Sequence, residues 1–65
     1  MTVKEFLALT HNNINLMLED DSVEDLDKFV VFKNKAYLVH GDYLNATIVF
    51  IRPLDNGFCL RVKLV

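Results

Sequence analysis

Cys59, His11 and His40 are the residue types from which a thiol nucleophile and its base could be made. That chemistry needs an imidazole within hydrogen-bond reach of the thiol and surroundings that lower the thiol pKa. The sequence indicates neither. Cys59 stands in "GFCLRVKLV", an alternating strand-like segment in which a lone cysteine is expected to serve packing. The two histidines lie far apart and match no ligand spacing such as C-x-x-C or H-x-x-x-H, so a zinc site is not expected.

A second cluster is acidic. Glu19, Asp20, Asp21, Glu24, Asp25 and Asp27 crowd one short segment with no base among them. A calcium loop starting at Asp21 would place Val23 at its third position, and the glycine that such a loop turns on is missing. The run reads as a solvated acidic face. As a binding element, its carboxylates could meet a basic surface, which is how a small inhibitor or modulator of a host enzyme would use them.

The cations Arg52, Arg61 and Lys63, with Phe50 among them, have the ingredients of a sheet that binds single strands through charge and stacking. A net charge of −2 gives the whole chain no electrostatic pull toward nucleic acid, which is therefore disfavoured as a partner. No cofactor, metal or small-molecule substrate is indicated, and the chain reads as non-enzymatic.

The elements that position these residues follow from periodicity. Val3, Phe6 and Leu7 mark one helical face after Thr2, a candidate N-cap. In "INLMLED", Ile14, Leu16 and Leu18 alternate with Asn15, Met17 and Glu19, the period of a half-buried strand. Ser22 and Asp25 have the spacing of a capping box for one helical turn over Val23 to Lys28. "KFVVF" and "AYLVH" read as two strands joined at "KNK". "TIVFIRPLDNGFCLRVKLV" reads as a closing hairpin, and a three-residue loop over Asp55 to Gly57 is preferred because a two-residue Asn-Gly loop would oppose Arg52 to Arg61.

Strict alternation sends Ile48 and Phe50 to one face of that hairpin and Val49 and Ile51 to the other, so its first strand is apolar on both sides. Exposing either pair forfeits roughly 1.5 to 3 kcal/mol per large side chain. Two solutions follow. The sheet curls into a partial barrel and covers itself, or Val49, Ile51 and Tyr37 form an apolar patch that meets another subunit or a target protein.

The opening "MTVKEFLAL", followed by "INLMLEDD" and a later "YLNATIVFIRP", resembles in layout the short helix-then-strand proteins encoded by phages and conjugative elements of Gram-positive bacteria. The resemblance implies an accessory or host-modulating role on a mobile element and assigns no functional residue.

These readings define one small α+β domain over residues 1–65, with one N-terminal helix packed on a four- or five-stranded, mainly antiparallel sheet. The single cysteine excludes an intramolecular disulfide. A domain of this size buries only roughly 60% of its unfolded surface, which favours association as added support. The chain is expected to be a protein-interaction module that forms a homo-oligomer or meets a protein target. Neither a signal peptide nor a membrane span is read from its start or its apolar runs, so a cytoplasmic location is the expectation.

Overall fold

The computed structural model describes residues 1–11, 13–24 and 28–64. Its helix, α1 (Val3–Leu7), starts where the sequence places it. The Thr2 hydroxyl accepts from the Glu5 backbone N–H at 3.2 Å, and the Glu5 carboxylate accepts from the Thr2 N–H at 2.9 Å. Two otherwise orphaned donors are satisfied reciprocally. The helix stops before Thr10: the Leu9 and Thr10 amides donate to carbonyls three residues back, which tightens the last turn.

Four strands follow, β1 (Asn15–Asp20), β2 (Val30–Lys35), β3 (Thr47–Leu54) and β4 (Gly57–Lys63). They form one mixed sheet in the order β2-β1-β4-β3, with β1 parallel to β4 and the other two pairings antiparallel. The architecture is α+β, with four strands. The sheet is open: β2 and β3 lie at opposite edges and do not pair with each other.

Three expectations are corrected. "KNK" is not a connection, because Lys33, Asn34 and Lys35 belong to β2 and stand opposite Met17, Leu16 and Asn15. "AYLVH" is not a strand. Ala36–Leu38 forms a 3-10 turn, and a period of three lets Ala36 and Val39, both buried, enter the core from the same side. A second 3-10 turn over Gly41–Asn45 then leads into β3, with Gly41 at φ 66°.

The closing hairpin also departs from expectation. Its loop is the two residues Asp55 and Asn56, closed by the pair Leu54–Gly57, so Arg52 stands opposite Cys59 rather than another arginine. Gly57 sits in β4 against the backbone of β1. A Cβ built on it would lie 1.8 Å from the Asn15 carbonyl oxygen, and the Asn15 N–H donates to the Asn56 carbonyl at 3.1 Å. The glycine therefore serves close approach of two parallel strands, not the turn.

The proposed helical turn over Val23 to Lys28 falls partly on residues 25–27, outside the described residues, as does its capping partner Asp25. Val23 and Glu24 are not helical, and the Ser22 hydroxyl donates to Asp20 Oδ1 at 2.7 Å.

The core lies on one face of the sheet. Leu16 and Leu18 of β1 and Leu60 and Val62 of β4 are almost fully buried beneath Val3 and Phe6 of α1, with Ala36, Val39 and Ala46 closing the sides. The Phe6 and Phe58 rings meet edge to face, 5.4 Å between centroids at 81°, which fixes the helix over β4. The Val3 N–H donates to the Ala46 carbonyl and the Ile48 N–H to the Met1 carbonyl, so the chain start is tied to the start of β3.

Candidate interaction surface

The register decides which side chains occupy the other face. Alternation from the core residues Leu16, Leu18, Leu60 and Val62 assigns Asn15, Met17 and Glu19 of β1, and Cys59, Arg61 and Lys63 of β4, to the face away from α1. From β2, Val30, Lys33 and Lys35 stand opposite Glu19, Met17 and Asn15 and share it. Among the described residues, no helix or turn packs across this face.

Strand β3 enters through a bulge. Ile48 stands opposite Val62, whereas Phe50 stands opposite Arg61, Ile51 opposite Leu60 and Arg52 opposite Cys59. The additional residue, Val49, shifts the alternation by one, so Ile48 and Ile51 both belong to the covered side while Val49 and Phe50 both belong to the uncovered one. The strand keeps apolar side chains on both faces, but the pairs are exchanged: Ile48 packs against the core and Ile51, on the same side, is 42% exposed, while Val49 and Phe50 are exposed on the other.

Tyr37, Val49 and Ile51 are all exposed, at 59%, 44% and 42%, but they do not share a strand face: Val49 is on the uncovered face, Ile51 points to the other side of β3, and Tyr37 stands on the 3-10 turn after β2. Phe50, which sequence reading assigned to the inner face, is the most exposed aromatic at 60%. Leu54 shares its side with Arg52 and Phe50. Nothing in the residue types marks a bulge at Val49, since it arises only when β3 must pair with both ends of β4.

The acidic segment is dispersed as well. Glu19 is buried at 7% exposure, and its Oε1 accepts from the Cys59 thiol at 3.1 Å. Asp20 is engaged by Ser22, whose hydroxyl and backbone N–H both donate to it and hold its carboxyl below the usual range. Asp21 Oδ1 accepts from Arg61 Nε at 2.7 Å, a part-exposed ion pair worth about 0 to 1 kcal/mol. Glu24 is exposed, and Asp25 and Asp27 lie outside the described residues. Half of the supposed contact thus has partners within the chain.

The thiol is in no state to attack. Cys59 is 1% exposed, and burial, followed by the Glu19 carboxylate it bonds, pushes its pKa up to about 11. Its hydrogen-bond partners are Glu19 and Arg52, whose guanidinium reaches the sulfur at 3.5 Å; neither is a histidine. His40 Nδ1 is bonded to the Leu38 carbonyl at 3.0 Å, and His11 is exposed. Among the described residues no three potential metal ligands gather.

What the face does gather is positive charge. Lys33, Lys35, Arg52, Arg61 and Lys63 all belong to it, five of the chain's seven lysines and arginines. Against them stand Glu19, buried, and Asp21, held by Arg61. An acidic protein carries a basic sheet face, because strand pairing brings Lys33 and Lys35 of β2 onto the same face as the three cations near the chain's end.

A half-open cleft of about 640 Å³ lies elsewhere, lined by His40 to Tyr43, Asn45, Ala46 and Leu64. No buried polar side chain left without a partner points into it. No family model, curated protein or solved structure matches the chain. No helix among the described residues is long and apolar enough to cross a membrane.

Proposed function

We propose that the chain is a non-enzymatic protein-interaction module whose contact surface is the uncovered face of its sheet. One observation carries this reading: the bulge in β3 turns Val49 and Phe50 together onto a face that no other described element covers. Large apolar side chains left in water in this way mark a docking surface. The free edge of β3 is a poorer candidate. Its start is taken by Met1 and Thr2, which bond Ile48 and bridge Thr47, and Pro53 has no N–H to offer an added strand.

Self-association through the same face is weak and promoted by salt, because stacking two copies brings like charges together and screening relieves them. Sedimentation velocity at low and high salt tests this. The wild type should associate at high concentration, more so in salt, and Val49→Lys or Phe50→Lys should abolish it while leaving circular dichroism unchanged. A chain whose association is the same with and without these substitutions would remove the apolar pair from the reading. An accessory role on a mobile element is compatible with a module of this kind.

A further inference from the structure

We infer that the partner of this face is a segment of another protein rich in acidic and apolar side chains; the inference rests on the proposed contact surface and adds the chemistry of what it binds. Charge complementarity selects the occupant. The outward-facing cations surround the apolar contacts, with Lys33 on β2, Arg52 beside Phe50 on β3 and Lys63 near the end of β4. Among the described residues the carboxylates bonded on this face are Glu19, which accepts from Cys59, and Asp21, which pairs with Arg61, fewer than its five cations. Lys35 is also held, its Nζ donating to the Asn13 carbonyl at 3.2 Å, and Arg52 spends one N–H on Cys59 Sγ at 3.5 Å, so Lys33, Lys63 and the other N–H groups of the exposed Arg52 guanidinium are the groups that meet a ligand.

A second copy is the weaker occupant, held only at high concentration and salt. Two such faces stacked about a twofold axis oppose cation to cation, and like charges brought together in an interface act against it. Single-stranded nucleic acid fits the charge but not the contacts, because sheets that read single strands stack two or three bases on aromatics. This face has one, Phe50, and its other apolar contacts are Val30, Met17, Val49 and Leu54, which suit aliphatic and aromatic side chains. Carboxylates over Lys33, Arg52 and Lys63, with apolar side chains against Val49 and Phe50, satisfy both sets of groups at once.

The test is fluorescence anisotropy with the full chain and three labelled probes: a peptide alternating Glu with Leu and Phe, the same peptide with every Glu replaced by Lys, and an oligothymidylate of similar length. The acidic peptide should bind, the lysine peptide should not, and raising the salt from 50 to 500 mM should weaken binding tenfold or more, as screening at about 10 Å in 0.1 M salt requires. Arg52→Glu with Lys63→Glu should lower affinity at least tenfold, Phe50→Ser should lower it too, and Lys4→Glu on α1 should leave it unchanged.

Tighter binding of the oligothymidylate, still lost in Phe50→Ser, would overturn the acidic-segment assignment while keeping the face as the contact. Binding of the lysine peptide in preference would do the same. Failure of every probe to respond to Phe50→Ser would overturn the contact surface itself, and with it this inference. Circular dichroism of each variant establishes that loss of binding is not loss of fold.

Discussion

Cys59 and Glu19 sit on neighbouring parallel strands, and the thiol donates a 3.1 Å hydrogen bond to the carboxylate on the sheet face opposite α1. Both are buried because they stand on the two central strands, between the longer side chains of Met17, Arg52 and Arg61. The centre of the uncovered face is therefore a closed polar contact, and its accessible groups are those toward the edges. This arrangement keeps the Cys59 thiol buried and leaves the cations and apolar side chains toward the edges as the accessible groups of the face.

Alkylation of Cys59 by iodoacetamide should be slow at pH 8 in the folded chain and should accelerate as pH rises toward about 11. The folded pKa is raised above its ordinary value of 9.0, so the stability linked to it is fully present below pH 9 and is lost as pH climbs through the folded value. Chemical unfolding at pH 8 and pH 10.5 should show the decline in the wild type and a flatter profile in Cys59→Ser. Reaction at pH 8 at the rate of a free cysteine would count against this account.

On the acid side the direction reverses. The Glu5 carboxyl is held low by the Thr2 N–H and hydroxyl, and that of Asp20 by Ser22. Their contribution is present above the ordinary values of 4.5 and 3.8 and is lost as pH falls below them. Glu5→Gln with Asp20→Asn, which removes both titrating carboxyls, should flatten the acid limb of a stability profile between pH 5 and about 2. An unchanged limb would show that other carboxyls govern it.

Gly57→Ala should prevent folding or strip β4 from β1. The added methyl meets backbone, not a movable side chain, at 1.8 Å from the Asn15 oxygen. By contrast Gly41→Ala meets nothing within 4 Å and is strained only by its positive φ, so it should cost about 1 kcal/mol. Thermal melts of the two variants check the order, and a Gly57→Ala chain as stable as Gly41→Ala would contradict the strand contact.

The two faces of the sheet should answer differently to truncation. Leu18→Ala removes a fully buried side chain and should cost about 2 to 5 kcal/mol, whereas Phe50→Ser should stay within about 0.5 kcal/mol of wild type. Urea unfolding measures both. A Phe50→Ser chain as damaged as Leu18→Ala would mean that something covers the second face after all.

The residues that were legible in sequence are those whose role is local. Thr2 is legible as the helix cap, because a cap acts within one turn, whereas its reciprocal bond with Glu5 is a finding of the structure. The alternation of Leu16 and Leu18, and of Leu60 and Val62, named the inner face of the two central strands, and all four are buried. The hairpin at Asp55 and Asn56 is visible as a turn, but not its register: one residue of slip exchanges every partner, and the deciding contact, Gly57 against Asn15, comes from a strand 42 positions away in the chain.

What the sequence determined by its own chemistry was the α+β class, the helix cap, the two core strands and the existence of the final turn, all products of periodicity and short-range hydrogen bonding. Only the tertiary structure decided that Lys33 to Lys35 form a strand, that Val49 bulges and that Phe50 faces solvent. It also decided that Lys33, Arg52 and Lys63 share one surface. These depend on which strands pair and in what register, and pairing is fixed by burying Leu16, Leu18, Leu60 and Val62 together under α1, a cooperative outcome that no single segment contains.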